Sequence, residues 1–244
     1  MPQLLRINKL LSQQGIASRR KADEMISEGK VKVNGEILKQ PGAIIDIEKD
    51  IVSVCGRDII ISSKKRYHYY LINKPKGYIS TSKDTHARKT IMDLLPEKNG
   101  IFSIGRLDKD TTGVILVTND GELTHRLMHP SFSIDKIYDV GIKGIMPDRD
   151  IVKLSKGVDI GDKRLSKCEV RHIKRAKSNT EIILRLHEGR NRQIRRTFAA
   201  LGYDVESLNR ISYAGLTASG MKPGSCRPLT EKEVLSLKKQ VGLL

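Results

Sequence analysis

The chain has 244 residues, with 45 Lys and Arg against 28 Asp and Glu, a net charge of +17 and a sequence pI near 9.8. An excess of that size favours a polyanionic partner, drawn in by long-range steering and counterion release. Cys55, Cys168 and Cys226 are scattered, no run of about 18 apolar residues exists, and the N-terminus is polar after Leu5; these argue against a disulfide or zinc framework, a transmembrane helix and a secretory signal, and for a soluble cytoplasmic protein.

Leu4, Ile7, Leu10 and Leu11 recur at helical spacing in "LLRINKLLSQQG", and Gly15 ends the run. Ser18 can cap a second helix, "RRKADEMISEGK", ended by Gly29. "VKVNGEIL" reads as a hairpin turning at Asn34-Gly35. Residues 43 to 55 add two short strands, and residues 56 to 66 read as a basic linker. Two domains are therefore expected, 1–62 and 63–244. In the second, "YHYYLINKP" reads as a buried strand stopped by Pro75, residues 89 to 95 as helical, and "IFSI" and "VILVT" as strands. "GELTHRLMHP" is a short helix; "SIDKIYDVGIKG", "KRLSKCEVRHIK" and "TEIILRLHE" are strands. "RNRQIRRTFAALG" is a helix ended by Gly202, followed by the strand "VESLNRISYAGLT" and a terminal helix, "TEKEVLSLKKQ". Strands in hairpin-like succession with interspersed helices indicate an α+β fold with a mostly antiparallel sheet.

The loop "GRLDKDTTGVILVTNDG" holds two acids spaced Asp-x-Asp and then glycine. As a calcium loop it fails: Thr112 and Asn119 stand where an acid or amide and a bidentate Glu are needed, and strands flank it. As a turn it is chemically ordinary. Arg106 beside Asp108 suggests instead a carboxylate next to a cation, suited to nucleophilic or general-base work. In "HEGRNRQIRRTFAALG", Ile194, Phe198 and Leu201 form a core stripe, Arg192 and Arg196 lie opposite, and Arg195 falls at the boundary. Cations in a first helical turn oppose the helix dipole, so an anion is expected to compensate them. His125 and His129 are four apart but lack a neighbouring Glu and a third ligand, and no metal site follows. "NKPKGYIST" lacks Walker spacing, and no G-x-G-x-x-G follows a strand, which leaves no nucleotide or methyl-donor motif. Tyr138 in "DKIYDV" could offer a ring for base stacking, but spacing alone favours an ordinary strand aromatic.

"GRLDKDTTGVILVTNDGEL", "KIYDV" and "EGRNRQIRR", in that order, resemble the RsuA-type ribosomal RNA pseudouridine synthases. "LRINKLLSQQGIASRRKADEMISEGKVKVNGEIL" resembles the S4 RNA-binding domain that often precedes their catalytic domain. The resemblance covers nearly the whole chain. It implies isomerisation of rRNA uridines to pseudouridine by cleavage of the glycosidic bond, base rotation and rejoining through C5. It implies no metal and no organic cofactor. By it, Asp108 is the catalytic aspartate, Tyr138 the ring that stacks on the base, and Arg195 the arginine that pairs with the aspartate, with Arg192 as the competing register. The expected RNA contacts are Arg6, Arg19, Arg20, Lys21, Lys32 and Asn34 in the first domain, and Lys74, Arg106, Arg190, Arg192 and Arg196 in the second. Asn191-Arg192 leans towards members acting on large-subunit rRNA. The expected partner is ribosomal RNA, free or in an assembly intermediate, bound by a monomer. The alternative is a non-catalytic S4 ribosome-assembly protein, against which the carboxylate loop counts.

Overall fold

The computed structural model describes residues 3–60, 66–81, 84, 86–98 and 100–244. It divides into two compact units, Met1–Tyr67 with Lys98–Gly100, and His68–Glu97 with Ile101–Leu244. The expected boundary between 62 and 63 lies outside the described residues.

In the first unit, strand β1 (Leu4–Arg6) leads into α1 (Ile7–Gln13) and α2 (Arg19–Ser27). The expected helix from Leu4 is corrected here: Leu4–Arg6 is extended and pairs antiparallel with β4 (Ile44–Asp46), which takes up its backbone bonds. Ser18 caps α2 by accepting from the Lys21 N–H at 3.3 Å, as the sequence suggested. Strands β2 (Val31–Val33), β3 (Glu36–Ile37), β5 (Val52–Val54) and β6 (Arg57–Asp58) form a sheet in the order β3-β2-β5-β6. β6 begins inside the stretch read as linker. Its turn is Cys55-Gly56, both at positive φ (51° and 78°), and cysteine gives no turn signal. Ile7, Leu10, Leu11, Ala22, Ile26 and Val52 form the core of this unit.

The second unit is built on β7 (Tyr69–Lys74), β8 (Phe102–Ile104), β9 (Thr112–Thr118), α3 (Gly121–Met128), β10 (Lys136–Lys143), α4 (Asp148–Lys156), β11 (Glu169–Arg175), β12 (Asn179–Leu186), α5 (Gln193–Ala200), β13 (Val205–Tyr213), β14 (Leu216–Thr217), β15 (Cys226–Pro228) and α6 (Glu231–Gln240). Among the described residues its sheet has nine strands in the order β11-β12-β10-β13-β9-β7-β15, with β14 on β13 and β8 on β9. Every pairing is antiparallel except β13 with β9, which is parallel over Asn209↔Thr112 and Arg210↔Gly113.

β9 is covered on both faces. Val114 and Leu116 pack into one cluster with Leu71, Leu127 and Tyr213; Ile115 and Val117 pack into another with Ile72, Ile91 and Leu107. That explains its unbroken apolar run. α5 lays Ile194 and Phe198 against Val140, Leu184 and Leu208, so the helical stripe read from sequence is the core face. Helix α4 went unread because its buried stripe is short: of its residues only Leu154 and Asp150 are buried. Residues 91–94 are a 3₁₀ turn rather than an α-helix. The expected single strand 205–217 is two, separated by Ala214-Gly215 at positive φ.

Candidate active site

The parallel junction fixes the loop that carries Asp108. Gly113, the second residue of β9, has φ +98°, and a Cβ there would lie 2.3 Å from the Arg210 carbonyl oxygen and 2.3 Å from Asn209 Oδ1. Only glycine lets the two strands approach this closely. The Thr111 N–H donates to the Asp108 carbonyl at 3.1 Å, closing a turn in which Asp110 sits exposed. Ser80 Oγ braces the preceding residue from both sides, accepting from the Leu107 N–H at 3.1 Å and donating to its carbonyl at 2.9 Å.

Lys74 completes the brace, and here the expectation of an RNA contact is corrected. Its side chain is 0% exposed, and Nζ donates to the carbonyls of Thr111 (2.7 Å), Lys109 (3.2 Å) and Pro75 (3.2 Å). Burial pushes its ammonium down to about 8, against a weaker upward pull from Asp110 and Asp108. An ammonium wrapped by backbone inside the fold has no surface to offer a phosphate.

A cleft of about 160 Å³ opens beside the loop. Asp108, Arg106, Tyr138, Arg190, Arg192 and Arg195 all line it, so the loop, β10 and the segment entering α5 converge as expected. The cation nearest Asp108 is Arg192, not Arg195: Nη1 lies 3.7 Å from Oδ2, with the side chains 52% and 33% exposed. Arg192 stands at the N-cap of α5 in the left-handed region, φ 46° and ψ 33°. That conformation costs a non-glycine residue about 1–2 kcal/mol. Arg195 points elsewhere. Its Nη1 donates to the Val205 carbonyl at 2.9 Å, and its Nε is buried without an acceptor among the described residues. Arg106, read as the neighbouring cation, is exposed and has no partner among the described residues.

Arg190 and Arg196, expected at the RNA, are both ion-paired within the fold. Arg190 bonds Glu188 at 2.6 Å, Asp162 at 3.2 Å and the carbonyls of Arg164 and Leu165. Arg196 bonds Asp162 at 2.7 Å and the Ile160 carbonyl. Both tie the 160–165 turn to the start of α5. Asp162 is thus the anion that compensates Arg196 and Arg190, which hold its carboxyl below its usual range, Arg196 most strongly, while Arg192 faces Asp108. In the first unit, Asn34 is a turn residue: its amide bonds Asp50 at 2.9 Å and accepts from the Ile51 N–H at 2.9 Å. Lys21 pairs with Glu24 at 2.8 Å. Arg6, Arg19, Arg20 and Lys32 are exposed and unpaired among the described residues.

Lys136, Arg210 and Tyr213 also line the cleft, and the sequence reading gave them no role. The signal available was weak: Leu208, Arg210 and Ser212 alternate along β13 on the side that is buried, which makes Arg210 a core arginine.

Residues 68–200 match the family model described as RNA pseudouridylate synthase, more than half of the chain, and residues 5–52 match the S4 domain. The chain belongs to the RNA pseudouridylate synthase family. It is 40% identical over 238 residues to the ribosomal large subunit pseudouridine synthase B of Bacillus subtilis (strain 168), covering 96% of this chain and 95% of that protein. An RNA pseudouridine synthase of Mycobacterium leprae (strain TN) is 38% identical over 243 residues, covering 98% and 94%. A crystal structure of a pseudouridylate synthase superposes with a TM-score of 0.66 at 28% identity, covering 96% of this chain and 99% of that one. The synthase is thus an isomerase of RNA uridine with an N-terminal S4 domain, and the α+β reading with a mostly antiparallel sheet holds.

Proposed function

We propose that this synthase isomerises one or a few uridines of large-subunit ribosomal RNA, with Asp108 as the residue that opens the glycosidic bond. The observation that carries the assignment is Asp108, set in a cleft beside an aromatic ring and arginines in a chain of this family; the cleft's other acid, Glu188, is taken up by Arg190 and Gln193. A base buried in a helical stack must be extruded to reach such a cleft. Tyr138 offers the ring on which it stacks. Arg192 holds the carboxylate, and Arg195 supports the wall behind it. Arg106 contacts the flanking phosphate. Residues 1–62 hold the RNA through Arg6, Arg19, Arg20, Lys21 and Lys32, phosphate contacts that position without specifying sequence; residues 63–244 do the chemistry. The large-subunit assignment follows the Bacillus relative's name. The enzyme acts as a monomer in the cytoplasm, on free rRNA or an assembly intermediate. None of the described helices is long and apolar enough to cross a membrane.

Asp108→Asn is expected to abolish pseudouridine formation while RNA affinity stays within about twofold, since phosphate contacts dominate affinity. Pseudouridine mapping on rRNA from cells carrying either protein reads this out. Retained modification by the variant would defeat the role of Asp108, and an unmodified wild-type rRNA would defeat the substrate.

A further inference from the structure

The floor of the cleft contains a buried arginine with no acid partner. Arg210 is 2% exposed, and among the described residues no carboxylate pairs with it. Its Nε donates to the Val114 carbonyl at 2.7 Å, and its guanidinium carbon lies 4.8 Å from the centre of the Tyr213 ring. Nη2 is buried and has no hydrogen-bond partner among the described residues. Lys136 flanks the same ring at 5.6 Å and is satisfied by the carbonyls of Ile134 and His187, both at 3.0 Å. Tyr213 is likewise satisfied, its hydroxyl donating to Leu127 at 3.0 Å. Of the three, only Arg210 has a buried nitrogen with no hydrogen-bond partner among the described residues. Leaving a buried charged donor unmatched is costly, and a fold that keeps one at the wall of a reaction cleft holds a site for developing negative charge.

We propose that Arg210 is a catalytic residue that stabilises the uracil anion formed when the C1′–N1 bond breaks. The inference rests on the cleft being the uridine site. On cleavage the bonding pair stays with the ring, spread over N1 and the carbonyl oxygens, while an Asp108 oxygen takes C1′. Arg210 donates to a ring carbonyl oxygen in this state. After rotation, C5 returns the pair to C1′, Asp108 is released, C5 loses its proton and N1 gains one, so the base ends neutral. Low solvent exposure at Arg210 strengthens the attraction. Arg192, half-exposed and beside Asp108, cannot supply a dry cation to the opposite partner of the breaking bond.

The test compares full-length wild type with Arg210→Gln and Arg210→Lys in single turnover, on RNA carrying uridine or 5-fluorouridine at the target position. Fluorine makes the leaving anion weaker as a base, so it needs less help. Arg210→Gln is expected to slow consumption of uridine by about 10²–10³-fold, the usual effect of losing one oxyanion donor. The deficit should be several-fold smaller on 5-fluorouridine and smaller in Arg210→Lys. An equal deficit on both bases, or none, overturns the proposal. A second measurement avoids any folding defect: wild type should bind 5-nitrouracil, an anion at neutral pH, more tightly than uracil, and equal or weaker binding overturns it too. Wild type that modifies neither RNA would instead defeat the uridine-site reading itself.

Discussion

Burial pushes the Lys74 ammonium from 10.5 down to about 8, and loop carbonyls take its three hydrogen bonds. The unfolded chain therefore keeps a proton there up to about pH 10.5, the folded chain only to about 8. Between those values the unfolded state binds more protons, so this group's contribution to stability rises with pH and is reduced below 8. Urea unfolding of wild type and Lys74→Met at pH 8 and pH 10 should show the difference shifting towards wild type at the higher pH; the similarly lowered Lys136 is common to both and cancels. At fixed pH, Lys74→Met also removes the Nζ donor from the Thr111 carbonyl and should slacken the Asp108 loop. The two arginines near the loop separate in a different way. Arg192→Ala should leave the melting temperature unchanged, because exposed pairs contribute about 0–1 kcal/mol, yet slow conversion at least about tenfold, on the order of 1.4 kcal/mol. Arg195→Ala should lower stability by about 1.5–3 kcal/mol through loss of its bond to Val205. Unaltered stability in Arg195→Ala would remove its structural role. That Asp108 and Tyr138 share one cleft was legible because their motifs surround them. Lys74 and Arg210 were not, since a charge in a sequence says nothing of burial until its strand is placed within the sheet.

At the scale of elements, the run "VILVT" announced a strand, which the fold covers on both faces, and the hairpin at Asn34-Gly35 announced its own turn. Helix α4, the Cys55-Gly56 turn and the break at Ala214-Gly215 carried weaker local chemistry and emerge only from tertiary pairing. The single parallel pairing is the element-level feature on which the site depends. Gly113→Ala combines a left-handed backbone with a 2.3 Å clash against β13, which should cost on the order of 2–5 kcal/mol. Gly105→Ala, also at positive φ (+74°) but with open space around its Cβ, should cost about 1–2 kcal/mol. Denaturant melts of the two variants make the comparison, and equal losses would mean that strand approach, rather than backbone angle, is unimportant at the junction.

For the whole molecule, the charge of +17 is the dominant physical fact, but the structure shows that it is not all available to RNA. Arg190, Arg196, Lys74 and Lys136 are committed to the fold, whereas Arg19, Arg20 and Lys32 stand exposed. Replacing those three with Gln should flatten the plot of log affinity against log salt by about 2, at roughly 0.7 per phosphate contact with single-stranded RNA. Turnover at saturating RNA should be unaffected. An unchanged slope would take the S4 unit out of phosphate binding.

The junction of β9 with β13 also has a consequence for biogenesis. Asp108 and Arg210 lie on opposite sides of that pairing, so a ribosome making this chain must add the 102 residues from 108 to 210 before the cleft has a floor. At typical synthesis rates of 5–20 residues per second that interval is roughly 5–20 s. Through it the loop is synthesised but has no cleft floor, and a nascent chain can carry its S4 unit into contact with RNA well before it can alter a base.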